Sequence, residues 1–137
     1  MPQHLSAITL LVPDYDAGLA FYVGQLGFTL IEDRAMPAAK RWVLVAPPGS
    51  RETRLLLAKA DGPGQIARIG SQTGGRVAFF LTTDDFARDH AAMLAKDVVF
   101  LEVPRVEPYG TVAVFCDPFG NRWDLIEPAS QPAASPA

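Results

Sequence analysis

Three observations in the sequence predict an α+β fold made of two βαβββ modules. Short apolar runs with strand character alternate with two amphipathic helical patterns. The order strand, helix, three strands occurs twice. A shift of 71 positions lays one copy on the other, so that Asp14 falls on Asp85, Leu30 on Leu101, Pro47 on Pro118, Gly49 on Gly120 and Arg51 on Arg122. Such a module cannot close its own sheet, so one four-stranded half must pair with another to cover its open face.

The first module spans 5–60. LSAITLLV is a short apolar run stopped by Pro13, as expected of a buried strand. PDYDAGLAFYVGQLGF follows with an acidic start, Leu19, Phe21, Tyr22, Val23 and Leu26 at helical spacings, and Gly27 as a stop. Asp14 is placed to cap that helix, which contributes roughly 1 kcal/mol. FTLIED, RWVLVA and TRLLLA read as three strands, with PPGSRE as the turn between the last two. A Gly-rich linker or lid occupies 61–74, where DGPGQIARIGSQTGG has five glycines counted to Gly75 and no helical or strand period.

The second module spans 75–127. RVAFFLT reads as a strand and TDDFARDHAAMLAK as a helix with an acidic first turn and Phe86, Met93 and Leu94 on its apolar side. Strands are expected at VVFLEV, GTVAVFCD and NRWDLIE, with PFG in the last turn. The tail 128–137, rich in Pro, Ala and Ser, has no apolar pattern and is expected to be disordered.

With 137 residues, 49% of them hydrophobic, the chain has material for one core. The net charge of −3 argues against nucleic acid or anionic lipid as a partner and leaves small molecules and proteins. The single Cys116 excludes an internal disulfide, and MPQHLSAITLLV lacks the basic region and long apolar run of a signal peptide. Ile8 to Val12 is too short to span a bilayer, so a cytoplasmic location is expected.

VPDYD with FYVGQLGF in the first half, and GGRVAFFL with DPFGNRWDLIE in the second, resemble the vicinal oxygen chelate superfamily of glyoxalase I, bleomycin resistance proteins and extradiol dioxygenases. The resemblance covers residues 7–127. It implies the glyoxalase/bleomycin resistance fold, a cup-shaped mixed sheet, in a homodimer with a divalent metal at the bottom of the cup. It also implies four metal ligands, which fall here on Ala7, on Leu55 or Leu56, on Arg76 and on Asp124. Ala and Leu have no donor atom and a guanidinium is a poor ligand for a cation, so only Asp124 could ligate. No metal cofactor is therefore expected.

We expect Arg76 and Asp124 to face each other across the second module, a protein cation standing where the family places its metal. The pair would either neutralise itself or offer the free guanidinium edge to a polar or anionic ligand. Tyr109 in VEPYGT would stack on a ligand or pack the rim. Trp42, with Glu107, Lys40 or Arg41, would form an aromatic wall with polar ends, or pack the core or a dimer contact. Trp123, next to Asp124, should face the helix layer by the period of two. His4 and His90 lie outside the cup strands, and Cys116 reads as a buried apolar residue.

The preferred reading is a metal-free, small-molecule-binding protein of the bleomycin-resistance kind with Arg76, Asp124, Tyr109, Trp42 and Glu107 around the ligand. No catalytic residue is assigned. The alternative is a glyoxalase-like lyase or isomerase, or a ring-cleaving dioxygenase, using Mn, Fe, Ni or Zn held by Asp124 and donors such as Glu107. Metal-free chemistry with Arg76 as electrophile and Tyr109 as acid is its variant. A third reading is a purely structural or regulatory dimer whose cup is filled by its own side chains, such as Leu55, Leu56 and Phe80.

Overall fold

The first module of the computed structural model, which describes residues 2–130, begins with β1 (Ala7–Val12). The helix α1 (Tyr15–Leu19) follows, and the Asp14 carboxylate caps it by accepting from the Ala17 amide at 2.7 Å. The helix then widens into a π-helical turn over Ala20–Gln25, marked by the Leu26 amide donating to the Phe21 carbonyl. Gly27, at φ 83°, ends it in the left-handed region that glycine tolerates, and the Phe28 amide returns to the Tyr22 carbonyl at 2.8 Å. Strands β2 (Thr29–Ala35), β3 (Arg41–Ala46) and β4 (Arg54–Lys59) complete a sheet of order β1-β4-β3-β2, with β1 parallel to β4.

The linker contains a short helix α2 (Gly62–Ile66) and a chain of tight turns, where the composition alone suggested only loop. The second module runs β5 (Val77–Thr82), α3 (Phe86–Ala95), β6 (Val99–Phe100), β7 (Arg105–Glu107), β8 (Gly110–Cys116) and β9 (Arg122–Pro128). Its sheet has the order β5-β9-β8-β6, with β7 also on β8 and β5 parallel to β9. Asp85 caps α3 by accepting from the Arg88 amide at 3.0 Å.

The expected single strand VVFLEV is interrupted. After Leu101, whose amide still donates to the Val114 carbonyl at 2.8 Å, residues 102–104 leave the ladder, and the Glu102 carboxylate accepts the Val114 amide at 3.0 Å in place of a backbone carbonyl. Pro104 cannot donate to a ladder, which helps to keep the break open. Of the tail expected to be disordered, Pro128 closes β9, and 131–137 lie outside the described residues.

One hydrophobic cluster unites the modules. It takes Leu10, Val43, Val45 and Leu57 from one face of the first sheet, Phe21, Tyr22 and Phe28 from around α1, and Phe115, Trp123 and Leu125 from one face of the second. Gly18 lets α1 lie against its own sheet: a Cβ there would be 3.1 Å from Val12 and 3.2 Å from Leu57. Trp123 is wedged among the rings of Tyr22, Phe28, Phe79 and Phe115. Within a chain, then, the modules pack through their helix-bearing faces, and the opposite strand faces remain open.

The internal repeat is preserved in the turns, where Gly49 and Gly120 both have positive φ. It breaks at the seam. Tyr22 and Asp117, joined by a 2.5 Å hydrogen bond, correspond under the 71-residue shift to Met93 and Ala46. One side of the seam therefore carries a polar latch. The other, between the Pro47–Pro48 turn and α3, carries a cavity of about 530 Å³ over Phe28 and Met93.

Candidate functional site

Period-two alternation decides which side chains reach the open faces. On the first sheet, Leu55 and Leu57 enter the core, so Arg54, Leu56 and Ala58 stand on the other side of β4. Leu56 is paired with Thr9 on one flank and Leu44 on the other, and Ala7 is level with Arg54. Trp42 follows the parity of Leu44. It borders a cavity of about 530 Å³ that also touches Tyr15, Lys40, Arg41, Leu56 and Gln65. Arg41 is fixed there by Asp33 at 2.7 Å and Asp16 at 3.0 Å, with its guanidinium carbon 5.1 Å from the Tyr15 ring centre. Ala38 and Ala39, at φ 62° and 61°, hold the cavity rim in a backbone shape that alanine rarely adopts.

On the second sheet, Trp123 and Leu125 face the core, which puts Asp124 and Ile126 on the open side. Asp124 is flanked by Phe80 of β5 and Val114 of β8. Close by, Arg105 donates to Glu102 at 3.1 Å and to Glu107 at 2.7 Å. The Glu107 carboxylate, then the Tyr109 hydroxyl and Glu102, hold this guanidinium firmly charged.

Burial pushes the Asp124 carboxyl above the usual carboxylate range, Glu102 adds to the rise, and Arg105 opposes it. Its Oδ1 is buried without a hydrogen-bond partner. A folded-state pKa above the unfolded one means that the folded chain holds the proton longer. Stability therefore falls as pH rises from the ordinary value through the raised one, and below that window Asp124 costs nothing. A donor or cation that paired with Asp124 would reverse the sign.

The expected Arg76–Asp124 pair is not formed. Val77 is level with Arg122, and the register shifts between Val77 and Phe79, so Phe80 is the neighbour of Asp124. Arg76 lies just before β5, about three residues along the strand direction from Asp124, or roughly 10 Å. It is exposed and enters no ion pair among the described residues. The cation beside Asp124 is Arg105, which the sequence reading missed although Glu102, Arg105 and Glu107 form an alternating charge pattern. The structure thus gathers Asp124, Glu107 and Tyr109 around Arg105 on one sheet. Trp42 stands on the other.

The remaining polar candidates have packing roles. His90 stacks on Phe86 with ring centres 5.3 Å apart and meets Phe100 edge-on at 4.5 Å. Cys116 is partly buried, and burial raises its thiol pKa, which disfavours a reactive thiolate. No helix among the described residues is long and apolar enough to cross a membrane.

The family model of the Glyoxalase/Bleomycin resistance protein/Dioxygenase superfamily matches residues 4–125. The chain belongs to this superfamily. An uncharacterized protein of Shewanella frigidimarina (strain NCIMB 400) is 50% identical over 128 residues, 93% of this chain and 95% of the relative. YurT of Bacillus subtilis (strain 168), also an uncharacterized protein, is 32% identical over 124 residues, 87% of this chain and 94% of its own. Among solved structures, UcmS2 aligns with a TM-score of 0.80 at 28% identity, covering 92% of this chain and 98% of that one. TnmS3, an antibiotic binding protein from Streptomyces sp. CB03234, aligns with a TM-score of 0.74 at 30% identity, covering 93% and 98%.

The fold is thus the α+β glyoxalase/bleomycin resistance fold. The ligand positions that the superfamily resemblance implies do not fit a divalent metal here, since Ala7 and Leu56 offer no donor atom and Arg76 is a permanent cation. Among the described residues, no group of three or more His, Cys, Asp and Glu side chains converges. Asp124 alone falls short of the three or four protein donors that tight binding needs.

Proposed function

We propose that this superfamily member is a metal-free small-molecule-binding protein that works as a homodimer and takes an antibiotic-like ligand against Trp42. The cavity beside Trp42 carries this reading. Its volume of about 530 Å³ lies within the range of small-molecule sites, and it joins the apolar Leu56 and the aromatic Tyr15 and Trp42 to the charged Lys40 and Arg41. The antibiotic binding protein TnmS3 shares the fold at 30% identity, which supports the ligand class.

Dimerisation is supported by the separation of the candidate residues on two open faces that do not meet within one chain. The second face also leaves Phe80 67% and Tyr109 55% exposed, apolar surface that a second copy would cover. In the proposed dimer, the Asp124, Glu107 and Tyr109 face of one copy closes over the Trp42 face of the other. Arg76, free of ion pairs, stays available to an anionic group of the ligand.

The test is thermal shift and tryptophan fluorescence with bleomycin and a panel of other antibiotics. A binder at a hundredfold excess over its Kd should stabilise the fold by about 2.7 kcal/mol, roughly 8–10 °C in Tm. It should quench Trp42 while Trp123 stays shielded in the core, and Trp42→Leu should weaken it about tenfold or more. Manganese, iron(II), nickel and zinc should leave Tm unchanged. A rise of several degrees with one metal per chain would overturn the metal-free part. No shift with any antibiotic, or equal affinity in Trp42→Leu, would overturn the ligand site.

A further inference from the structure

Two buried side-chain polar atoms among the described residues have no hydrogen-bond partner, Arg54 Nε and Asp124 Oδ1. They are opposite in charge. Each stands on the open face of a different sheet, Arg54 level with Ala7 on the first and Asp124 between Phe80 and Val114 on the second. Because the sheets share one core through their other faces, the two groups point away from each other within a chain. Those two atoms are covered by their own chain, but both side chains are only partly buried. The terminal guanidinium nitrogens of Arg54 and the Oδ2 of Asp124, which make no hydrogen bond among the described residues, are therefore the parts a second copy can reach. A partly desolvated charge without a partner gains by acquiring one.

We propose that Arg54 of one copy pairs with Asp124 of a second copy, so that a cross-subunit ion pair joins the two facing sheets. The idea rests on the homodimer proposed above and adds what specifies it. Isologous symmetry then supplies the pair twice, because if Arg54 meets Asp124 in one direction it does so in the other. Around it, Phe80, 67% exposed in the single chain, would cover the partly exposed Leu56 of the facing sheet. The carboxylate that burial holds reluctantly charged in the lone chain would gain a cation, while Arg105 stays engaged by Glu102 and Glu107. A guanidinium also offers planar donors suited to a carboxylate, which a lysine would not.

The test is sedimentation analysis of the full chain with four proteins: wild type, Arg54→Asp, Asp124→Arg and the double exchange. Wild type should be a dimer. Each single exchange should raise the dimer dissociation constant about 100-fold, and the double exchange should return it to within about tenfold of wild type. If the effects simply add, the ion pair is wrong and the dimer stands. If wild type is monomeric at every concentration, the dimer reading fails and this one fails with it. Should a charge exchange prevent folding, as judged by near-ultraviolet circular dichroism, the neutral variants Arg54→Met and Asp124→Asn enter the same cycle. The double neutral variant should then be no weaker than either single, and additive losses overturn the pair.

Discussion

Replacing Asp117 with alanine should destabilise the protein by about 3–5 kcal/mol, lowering Tm by roughly 10–15 °C. Asp117 is 2% exposed, and its carboxylate accepts four hydrogen bonds. They come from the Tyr22 hydroxyl at 2.5 Å, the Asn121 side-chain amide at 2.7 Å, and the main-chain amides of Asn121 at 2.8 Å and Phe119 at 3.0 Å. Tyr22 in turn accepts from the Trp123 indole at 3.2 Å. Burial, and next the Asp117 charge, keep the Tyr22 phenol protonated far beyond its ordinary range, so it serves as a dependable donor to the carboxylate. Alanine would leave these donors in a dry seam without an acceptor, and each orphaned donor costs about 1–3 kcal/mol, with partial relaxation. Tyr22→Phe removes one donor to Asp117 and the acceptor of Trp123, so it should cost about 1–2 kcal/mol. Comparable losses in the two variants, measured by denaturant unfolding, would mean that the carboxylate is not the hub. The latch joins the π-helical turn that continues α1 in the first module to the β8–β9 turn of the second, so it also sets how the two open faces are presented.

The latch shows what sequence can and cannot reveal. DPFGNRW was visible as a turn leading into a strand, and the parity of Trp123 and Asp124 placed one in the core and the other on the open face. The helix cap at Asp14 was legible because capping depends on neighbours within three residues. What escaped was set by partners distant in the chain. Glu102 interrupts a strand because its carboxylate replaces a carbonyl opposite Val114, which no period records. Arg76 misses Asp124 because β5 pairs with β9 so that Val77 is level with Arg122 and Phe80 with Asp124, which leaves Arg76 about three residues short. That register is set between strands far apart in the chain. The choice of docking face was hidden as well. RWVLVA is apolar on both sides of β3, with Val43 and Val45 in the core and Leu44 on the open face, so hydrophobicity could not say which side meets the other module.

A methyl group at Gly70 should detach the linker, at a cost of about 3 kcal/mol or roughly 10 °C in Tm. Gly70 has φ 76°, and a Cβ there would be 1.9 Å from the Phe119 carbonyl oxygen and 2.8 Å from its carbon. Both atoms are main chain, in the turn that the Asp117 latch holds, so they cannot swing aside. Two residues on, the Gln72 side chain covers the free edge of β1, its oxygen accepting the Leu11 amide at 2.7 Å and its nitrogen donating to the Thr9 carbonyl at 3.2 Å. The linker expected to serve as a spacer or lid is thus fastened to both modules: by close backbone approach to the second, and by an amide that mimics a neighbouring strand to the first. If it lifts as one unit, Gly70→Ala should also expose the Leu11 amide to hydrogen exchange, and adding Gln72→Ala should cost nothing further. If the two substitutions add fully, or Leu11 stays protected in Gly70→Ala, the two fastenings act separately and the clash at Gly70 is absorbed within the turn.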